Sequence, residues 1–326
     1  MKLVLIDSNS LINRAFYAMP GLTNDKGLST GGIYGFVAML NRLISNVKPT
    51  HIVAAFDLSG PTFRHDLYNE YKALRKPMPD ELAEQIPVLK ELLTAMKIKY
   101  IEKEGYEADD LIGCLSKMYD AETIIVSGDK DVLQLVSDKT TVFYTRRGIT
   151  DVVEYTPQRL LEDGLTPSLV TDLKGLMGDS SDNIPGVKGV GEKTAKALIA
   201  EYGDLDGIYQ NIDNVKGKLK EKLLESREIA YFSKKLATIC CTIDLNISPK
   251  DIELQYPFTA ETENKMIELG FRSLVNRFEF SESKPKIVID CKTILINTKE
   301  ELQTALNAVK TNKVMALNIG DGISFA

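Results

Sequence analysis

The chain has 326 residues, 44% hydrophobic and 26% charged, enough for one large globular unit with one or two smaller ones. Its net charge of −6 argues, as an average, against a nucleic-acid partner, but acids gathered in one pocket can coexist with basic surfaces around it. Only two histidines, His51 and His65, are present, which argues against histidine-based catalysis and a His-rich zinc site. Cys114, Cys240, Cys241 and Cys291 form no C-x-x-C pair, so buried reduced thiols are expected.

The apolar runs Leu3–Ile6 and Ile52–Phe56 are too short to span a membrane, and the N-terminus reaches Asp7 too soon for a secretory leader. A cytoplasmic protein is expected. Leu3–Ile6, Ile52–Phe56, Lys99–Ile101 and Thr123–Ser127 read as buried strands. Gly32–Ser45, Glu81–Met96 and Ala108–Tyr119 read as amphipathic helices between them. This alternation predicts an α/β core over 1–156, a mostly parallel central sheet flanked by helices. Residues 61–80 break the pattern. They interleave Arg64, His65, Lys72, Arg75 and Lys76 with Phe63, Tyr68 and Tyr71 and show no apolar face. They read as an exposed, partly helical insertion.

Helices dominate 157–280, most clearly Ser168–Met177, Glu192–Tyr202 and Lys218–Leu236. Residues 281–286 read as a linker. Ile287–Asp290, Lys299–Val309 and Val314–Leu317 then begin a strand-helix-strand pattern that stops at Ala326, the truncated start of another domain.

Acids recur where the predicted strands end. Leu3–Ile6 runs into Asp7, Ile52–Phe56 into Asp57, and Thr123–Ser127 into Asp129 and Asp131. Ligands of open parallel sheets bind at the carboxyl ends of strands. Glu107, Asp109 and Asp110 open a predicted helix, and Asp179 and Asp182 occupy a turn. Any one motif has a plain reading as a helix cap, a turn, or a helix-dipole partner. All five together favour one shared pocket, because nothing structural requires acids at three strand ends. Hard oxygen donors without His or Cys point to Mg²⁺ or Mn²⁺. Two such ions, roughly 3.5–4 Å apart, are a standard arrangement for phosphodiester cleavage.

Gly186, Val187, Lys188, Gly189, Val190 and Gly191 lie between two predicted helices, with Lys193 and Thr194 opening the second. This helix-hairpin-helix pattern suits non-specific grip of a DNA backbone. A P-loop is the near miss, but Glu192 stands where its lysine should follow the glycine and no strand precedes it. A plain tight turn is the bland alternative.

With these residues in view, the chain resembles the 5′ nuclease domain of bacterial DNA polymerase I, and more broadly phage 5′ nucleases and flap endonucleases, over about residues 1–280. The resemblance rests on Ile6–Ser10 with Arg14–Tyr17, Ala55–Asp57, Phe63-Arg64 with Tyr71-Lys72 and Arg75, Gly105–Asp110, Ser127–Asp131, and Gly178–Ala195. It implies that Asp7, Asp57, Glu107, Asp109 and Asp110 surround a first metal and Asp129, Asp131, Asp179 and Asp182 a second. It implies that Lys72 and Arg75 sit on a helical arch and contact the scissile phosphate. A potassium ion beside the hairpin is implied as well. Arg64 and Tyr71 are expected to contact DNA, Tyr71 offering a ring to a frayed base.

The activity implied is structure-specific 5′–3′ exonuclease and flap endonuclease cleavage, in replication and repair. Its partners would be DNA with a 5′ flap, nick or junction and RNA–DNA primer ends, with no membrane, acted on by a monomer. The tail resembles the start of a 3′–5′ exonuclease-like domain, but Ala316–Gly320 lacks the Asp-x-Glu pair that proofreading needs. Two alternatives stay open: a non-catalytic DNA-structure-binding accessory module, and an RNase of a related metal-nuclease fold.

Overall fold

The computed structural model describes residues 1–148, 151–281, 298–312, 317–319 and 323–325. The N-terminal half runs β1 (Lys2–Asp7), α1 (Ser8–Ala18), α2 (Gly31–Val47), β2 (His51–Ala55), α3 (Phe63–Leu67), α4 (Asp80–Ala83), α5 (Gln85–Ala95), β3 (Lys99–Ile101), α6 (Ala108–Met118), β4 (Glu122–Ser127), β5 (Thr140–Arg147) and β6 (Asp151–Tyr155). The six strands form one sheet in the order β3-β2-β1-β4-β5-β6. All neighbours pair in parallel except β5 and β6.

Burial explains the continuous apolar strands. Along β1, Leu3, Val4, Leu5 and Ile6 are at most 1% exposed, so both faces of the sheet are covered. Alternate residues point to opposite layers. Val4 and Ile6 pack with Leu11, Phe36 and Leu89 from α1, α2 and α5. Leu3 and Leu5 pack with Leu111, Ile112 and Leu115 of α6 on the other face.

The parallel sheet and its flanking helices match the expectation, and the four expected strands are present within a residue. The mixed edge formed by β5 and β6 was not expected. The helix expected over Glu81–Met96 divides at Glu84 into α4 and α5. Cys114 is buried, but Cys240 and Cys241, also free thiols, are only half-buried, and Cys291 lies outside the described residues.

The second half continues through α7 (Pro157–Glu162), α8 (Pro167–Met177), α9 (Glu192–Tyr202), α10 (Leu205–Gln210), α11 (Lys218–Glu225), α12 (Arg227–Ala237), α13 (Ala260–Glu268) and α14 (Arg272–Val275). The stretch read as one helix over Lys218–Leu236 breaks at Ser226. Residues of α8 to α12 build their own core from Leu176, Val187, Val190, Leu198, Ile208 and Leu223.

The chain then returns to the sheet. Ile239, Ile243 and Ile252 join the layer containing α6. Phe258, Met266, Leu269, Phe271, Leu274 and Phe278 join the layer containing α1 and α2. The region 157–280, expected to be mainly helical, is so, and its residues from 239 on pack on the α/β core, with the whole of Met1–Glu282 forming one compact unit.

Ser283–Ala326 forms a second unit. It contains α15 (Lys299–Asn312) and the antiparallel pair β7 (Leu317–Ile319) and β8 (Ile323–Phe325). The strand expected at Ile287–Asp290 and the linker beyond Ser281 lie outside the described residues. No helix among the described residues is long and apolar enough to cross a membrane.

The return of the chain to the core is testable. Phe271 is 1% exposed against residues far earlier in sequence. Phe271→Ala should cost roughly 3–5 kcal/mol in urea unfolding. A loss below about 1 kcal/mol would mean that this segment is not core.

Candidate metal centre and nucleic-acid interface

The carboxyl ends of β1, β2 and β4 are tied together by short polar contacts. Asp7 ends β1 and caps α1, its Oδ1 accepting from the Ser10 N–H at 3.1 Å. Its Oδ2 accepts from Ser127 Oγ at 2.6 Å, which links β1 to β4. The Gly128 N–H donates to Ser10 Oγ at 2.9 Å and the Asp129 N–H to Ser127 Oγ at 2.9 Å. Arg14 holds the same loop from outside, donating to the carbonyls of Gly128 and Arg146. Beyond β2, the Asp57 N–H donates to Asn9 Oδ1, and Asp57 Oδ1 accepts from the Ala108 N–H at the start of α6.

These contacts shape a cleft of about 490 Å³ lined by Asp7, Asp57, Glu107, Asp109 and Asp129, with Arg14, Lys72 and Arg75 among its cations. A second cavity of about 440 Å³, lined by Met19, Tyr34, Leu269 and Phe271 among others, has no charged residue in its wall and lies away from the acids.

Glu107 occupies the N-cap of α6. Its carboxylate accepts from Arg64 Nη1 at 3.2 Å and Tyr71 Oη at 3.0 Å, and it pairs with Lys72. Glu107, Asp109 and Asp110 bring a carboxylate oxygen each within 4.8 Å of one another.

Asp110 nevertheless differs from the other two. Its Oδ1 accepts from Arg64 Nη2 and the Cys240 N–H, and its Oδ2 from Arg64 Nη1 and the Glu107 N–H. A carboxylate has about four lone-pair positions, and here all are filled. Asp110, expected among the residues around the first metal, lies beside Glu107 and Asp109 with its oxygens held by these bonds. It is fully buried and fixes Arg64 and the start of α6.

Four acids stand on the other side. Asp129 is exposed, and its Oδ1 accepts from the Asp131 N–H at 2.9 Å. Asp131 is buried at the head of a short 3₁₀ turn. Asp179 and Asp182 lie in the turn after α8, closed by reciprocal backbone bonds between Asp179 and Ile184. Asp182 pairs with Arg75 at 2.5 Å and accepts from Tyr71 Oη at 3.1 Å. Lys174, on α8, pairs with both Asp131 and Asp179. Tyr71, hydrogen-bonded to Glu107 and to Asp182, joins the two groups of acids.

Most of the insertion is exposed and part of it helical, as expected, but Arg64 and Tyr71, expected to contact DNA, are buried. Arg64 is 2% and Tyr71 3% exposed. Arg64 spends its guanidinium on Glu107, Asp110 and the carbonyls of Leu236 and Thr238, at the end of α12. A buried guanidinium needs such pairing, and this pairing explains why the segment lacks an apolar face. Neither residue presents a surface to DNA in this structure.

Burial, and after it the crowding of like charges, shows in the acidities. Burial, then Asp57 and Asp129, push the Asp7 carboxyl from its ordinary 3.8 up to about 7. Burial and then Asp129 push Asp131 up to about 7. Asp57 reaches water, yet the protein crowds it closely enough to raise its carboxyl as well. Asp109 is raised well above its ordinary value by burial and Asp110, and its Oδ1 is buried without a hydrogen bond. For Asp179, burial is outweighed by hydrogen bonds from Lys174 and Ser181, which hold it low. Oxygen-only donors, an unpartnered carboxylate oxygen and acids that resist ionisation together fit a hard divalent cation.

Beside the acids, the hairpin 184–191 joins α8 to α9 as expected. Gly178 and Gly186 both have positive φ, and their backbones touch. A Cβ on Gly186 would lie 2.2 Å from the Gly178 nitrogen. Val187 and Val190 differ from the expectation of DNA contact. Both are buried in the helical core, and their N–H groups donate to the carbonyls of Leu176 and Val187. The Gly186 N–H donates to Ser233 Oγ. Lys188, Gly189, Gly191 and Lys193 are exposed, and Thr194 is half-buried at the start of α9.

Lys174, Ser10, Ser127 and Asn9 were not singled out from sequence. For Lys174 a signal existed: it follows buried Val170 and Thr171 at helical spacing, on a face that should be apolar.

Acids massed at the carboxyl edge of a parallel sheet, beside a helix-hairpin-helix turn, form an arrangement that suits a nuclease. Residues 2–163 match the N-terminal resolvase-like domain of the 5′–3′ exonucleases, and residues 165–260 match their C-terminal SAM fold. The chain belongs to the 5′–3′ exonuclease family. It is 47% identical to DNA polymerase I of Bacillus caldotenax over 87% of its length and 49% identical to that of Bacillus subtilis over 85%. It spans about a third of each, 33% and 32% respectively. Among solved structures, T5 5′-exonuclease with divalent metal ions (zinc) bound is similar at a TM-score of 0.59 and 22% identity, over 85% of this chain and 97% of that one. The catalytic core of Rad2 in complex with DNA substrate is similar at 0.57 and 20%, over 85% and 90%. At these identities the structures show a shared fold.

Two outcomes follow from the geometry. Arg64→Met should leave Asp110 buried and uncompensated, costing roughly 3–5 kcal/mol in denaturant unfolding. The second concerns pH. Asp7 and Asp131 have folded values near 7, above the unfolded 3.8, so the folded state binds more protons between about pH 4 and 7. The metal-free protein should lose stability as pH rises through that window, and added Mg²⁺ should restore it near neutrality. A melting temperature that climbs from pH 5 to 8 without metal would contradict these assignments.

Proposed function

We propose that this chain hydrolyses DNA phosphodiesters at 5′ ends, acting on a flap, nick or junction and on RNA–DNA primer ends, with two divalent cations of the Mg²⁺ or Mn²⁺ type. The observation that carries this reading is the convergence of acids from β1, β2, α6 and β4 on one cleft that also holds Lys72 and Arg75.

When bound, such cations supply an acidified water and offset charge on the phosphodiester oxygens. Asp7, Asp57, Glu107 and Asp109 would hold the first, and Asp129, Asp131, Asp179 and Asp182 the second. Asp110 would serve from behind by fixing Arg64.

Lys72 and Arg75 now pair with Glu107 and Asp182. A substrate phosphate offers both cations an alternative anion, and their charge then stabilises the negative charge that develops on its oxygens. Lys72 holds a left-handed backbone conformation, and its N–H donates to the Asp182 carbonyl at 2.9 Å, which sets where its side chain starts. Tyr71, shut between Glu107 and Asp182, is a positioning residue in this reading, not a base-stacking one.

Lys188, Gly189, Gly191, Lys193 and Thr194 would grip the duplex backbone, with the potassium ion beside them. The high identity to DNA polymerases I over about a third of their length supports the same activity within a longer polymerase.

Cleavage of an end-labelled 5′-flap duplex tests the proposal. Turnover should require Mg²⁺ or Mn²⁺ and vanish with chelator. Asp129→Ala with Asp131→Ala should abolish it while duplex binding persists. Lys72→Ala should lower kcat by roughly 10²–10³. Binding without cutting would instead favour an accessory module, and preference for single-stranded RNA an RNase.

A further inference from the structure

Among the cations facing the acids, Lys174 differs from Lys72 and Arg75 in origin. Those two come from the 61–80 segment, whereas Lys174 is fixed in the last turn of α8, where the helix dipole favours a positive charge. Its ammonium lies 2.7 Å from Asp131 Oδ1 and pairs with Asp179 as well. Its side chain is 15% exposed, and those of Asp131 and Asp179 are 12% and 13%.

The contact with Asp131 is close but poorly aligned. Asp131 Oδ1 is buried and accepts no hydrogen bond of acceptable geometry, although the ammonium is beside it. The lysine supplies charge there without satisfying the oxygen.

We infer that Lys174 is a built-in counter-cation that occupies the seat of the second divalent ion between Asp131 and Asp179 and competes with that ion for it. The inference rests on the proposed two-ion reading. Its physical basis is exclusion. An ammonium in contact with both carboxylates blocks the oxygens that an incoming ion must share, and its charge repels that ion across a partly buried space. Lys174 would have to withdraw from Asp131 and Asp179 before those carboxylates could hold a divalent ion. Without metal, the same lysine prevents two neighbouring carboxylates from standing unpaired.

The competition has a measurable sign. Methionine keeps the length and helix preference of lysine but removes the charge. In the full chain without DNA, Mn²⁺ titration by calorimetry should show two classes of site, and Asp179→Asn should remove the weaker one. In K174M, the weaker class should bind roughly tenfold more tightly, as expected for loss of a competing unit charge. Its metal-free melting temperature should fall below that of the wild type, and saturating Mn²⁺ should raise it by more than it raises the wild type.

Unchanged or weaker Mn²⁺ affinity in K174M, with both sites intact in the wild type, would overturn the role of Lys174 and leave the two-ion reading standing. A single class of site in both proteins would overturn both. K174R separates charge from shape: it should bind Mn²⁺ at least as weakly as the wild type, and tight binding there would also overturn the competition.

Discussion

The cost of holding charged carboxylates where the protein buries and crowds them is the constraint around which this fold is arranged. Asp7, Asp57, Asp109 and Asp131 all resist ionisation because burial and neighbouring carboxylates disfavour their charged forms. A protein gathers such groups only where countercharge can be supplied. Here the chain supplies part of it. Arg64 stands behind α6, Lys72 and Arg75 enter from the insertion, and Lys174 comes from α8. The remainder is the demand that a divalent ion would meet.

The architecture follows from the need to hold these acids still. Asp7 caps a helix and accepts from Ser127, so one carboxylate braces two adjacent strand ends. The saturated Asp110 locks the guanidinium of Arg64, which also binds the carbonyls at the end of α12. The sheet and the helical layer are thus joined through a charged contact immediately behind the cleft. The return of 239–280 to the sheet adds an apolar tie between the same regions.

How much of this could be read in the sequence depended on range. Asp7, Asp57 and Asp129 were legible because a buried parallel strand has an unmistakable apolar run, and the residue after it must sit at the sheet edge. The hairpin was legible from its glycines. Arg64 was misread because its partners, Glu107 and Asp110, lie 43 and 46 residues away. Composition alone cannot tell a solvated arginine from a buried one that is fully paired. Val187 and Val190 were read as part of a surface grip, although their apolar character already suited the interior they occupy. Strands β5 and β6 escaped notice because Thr140–Arg147 and Asp151–Tyr155 mix polar with apolar residues and so lack the continuous apolar run of the central strands.

The contact between Gly178 and Gly186 reaches furthest. Main chain lies directly on main chain there, with no side chain between to bend or give. On one side of this weld the loop carries Asp179 and Asp182, and just beyond the other it exposes Lys188 and Gly189. Under the proposed reading, the holding surface and the chemistry are parts of one rigid stub, as a saw fence is bolted to the same table as the blade. Fragment length would then be an inherited dimension of the backbone, and altering it would mean recutting the loop, since no side-chain exchange at the surface changes that spacing.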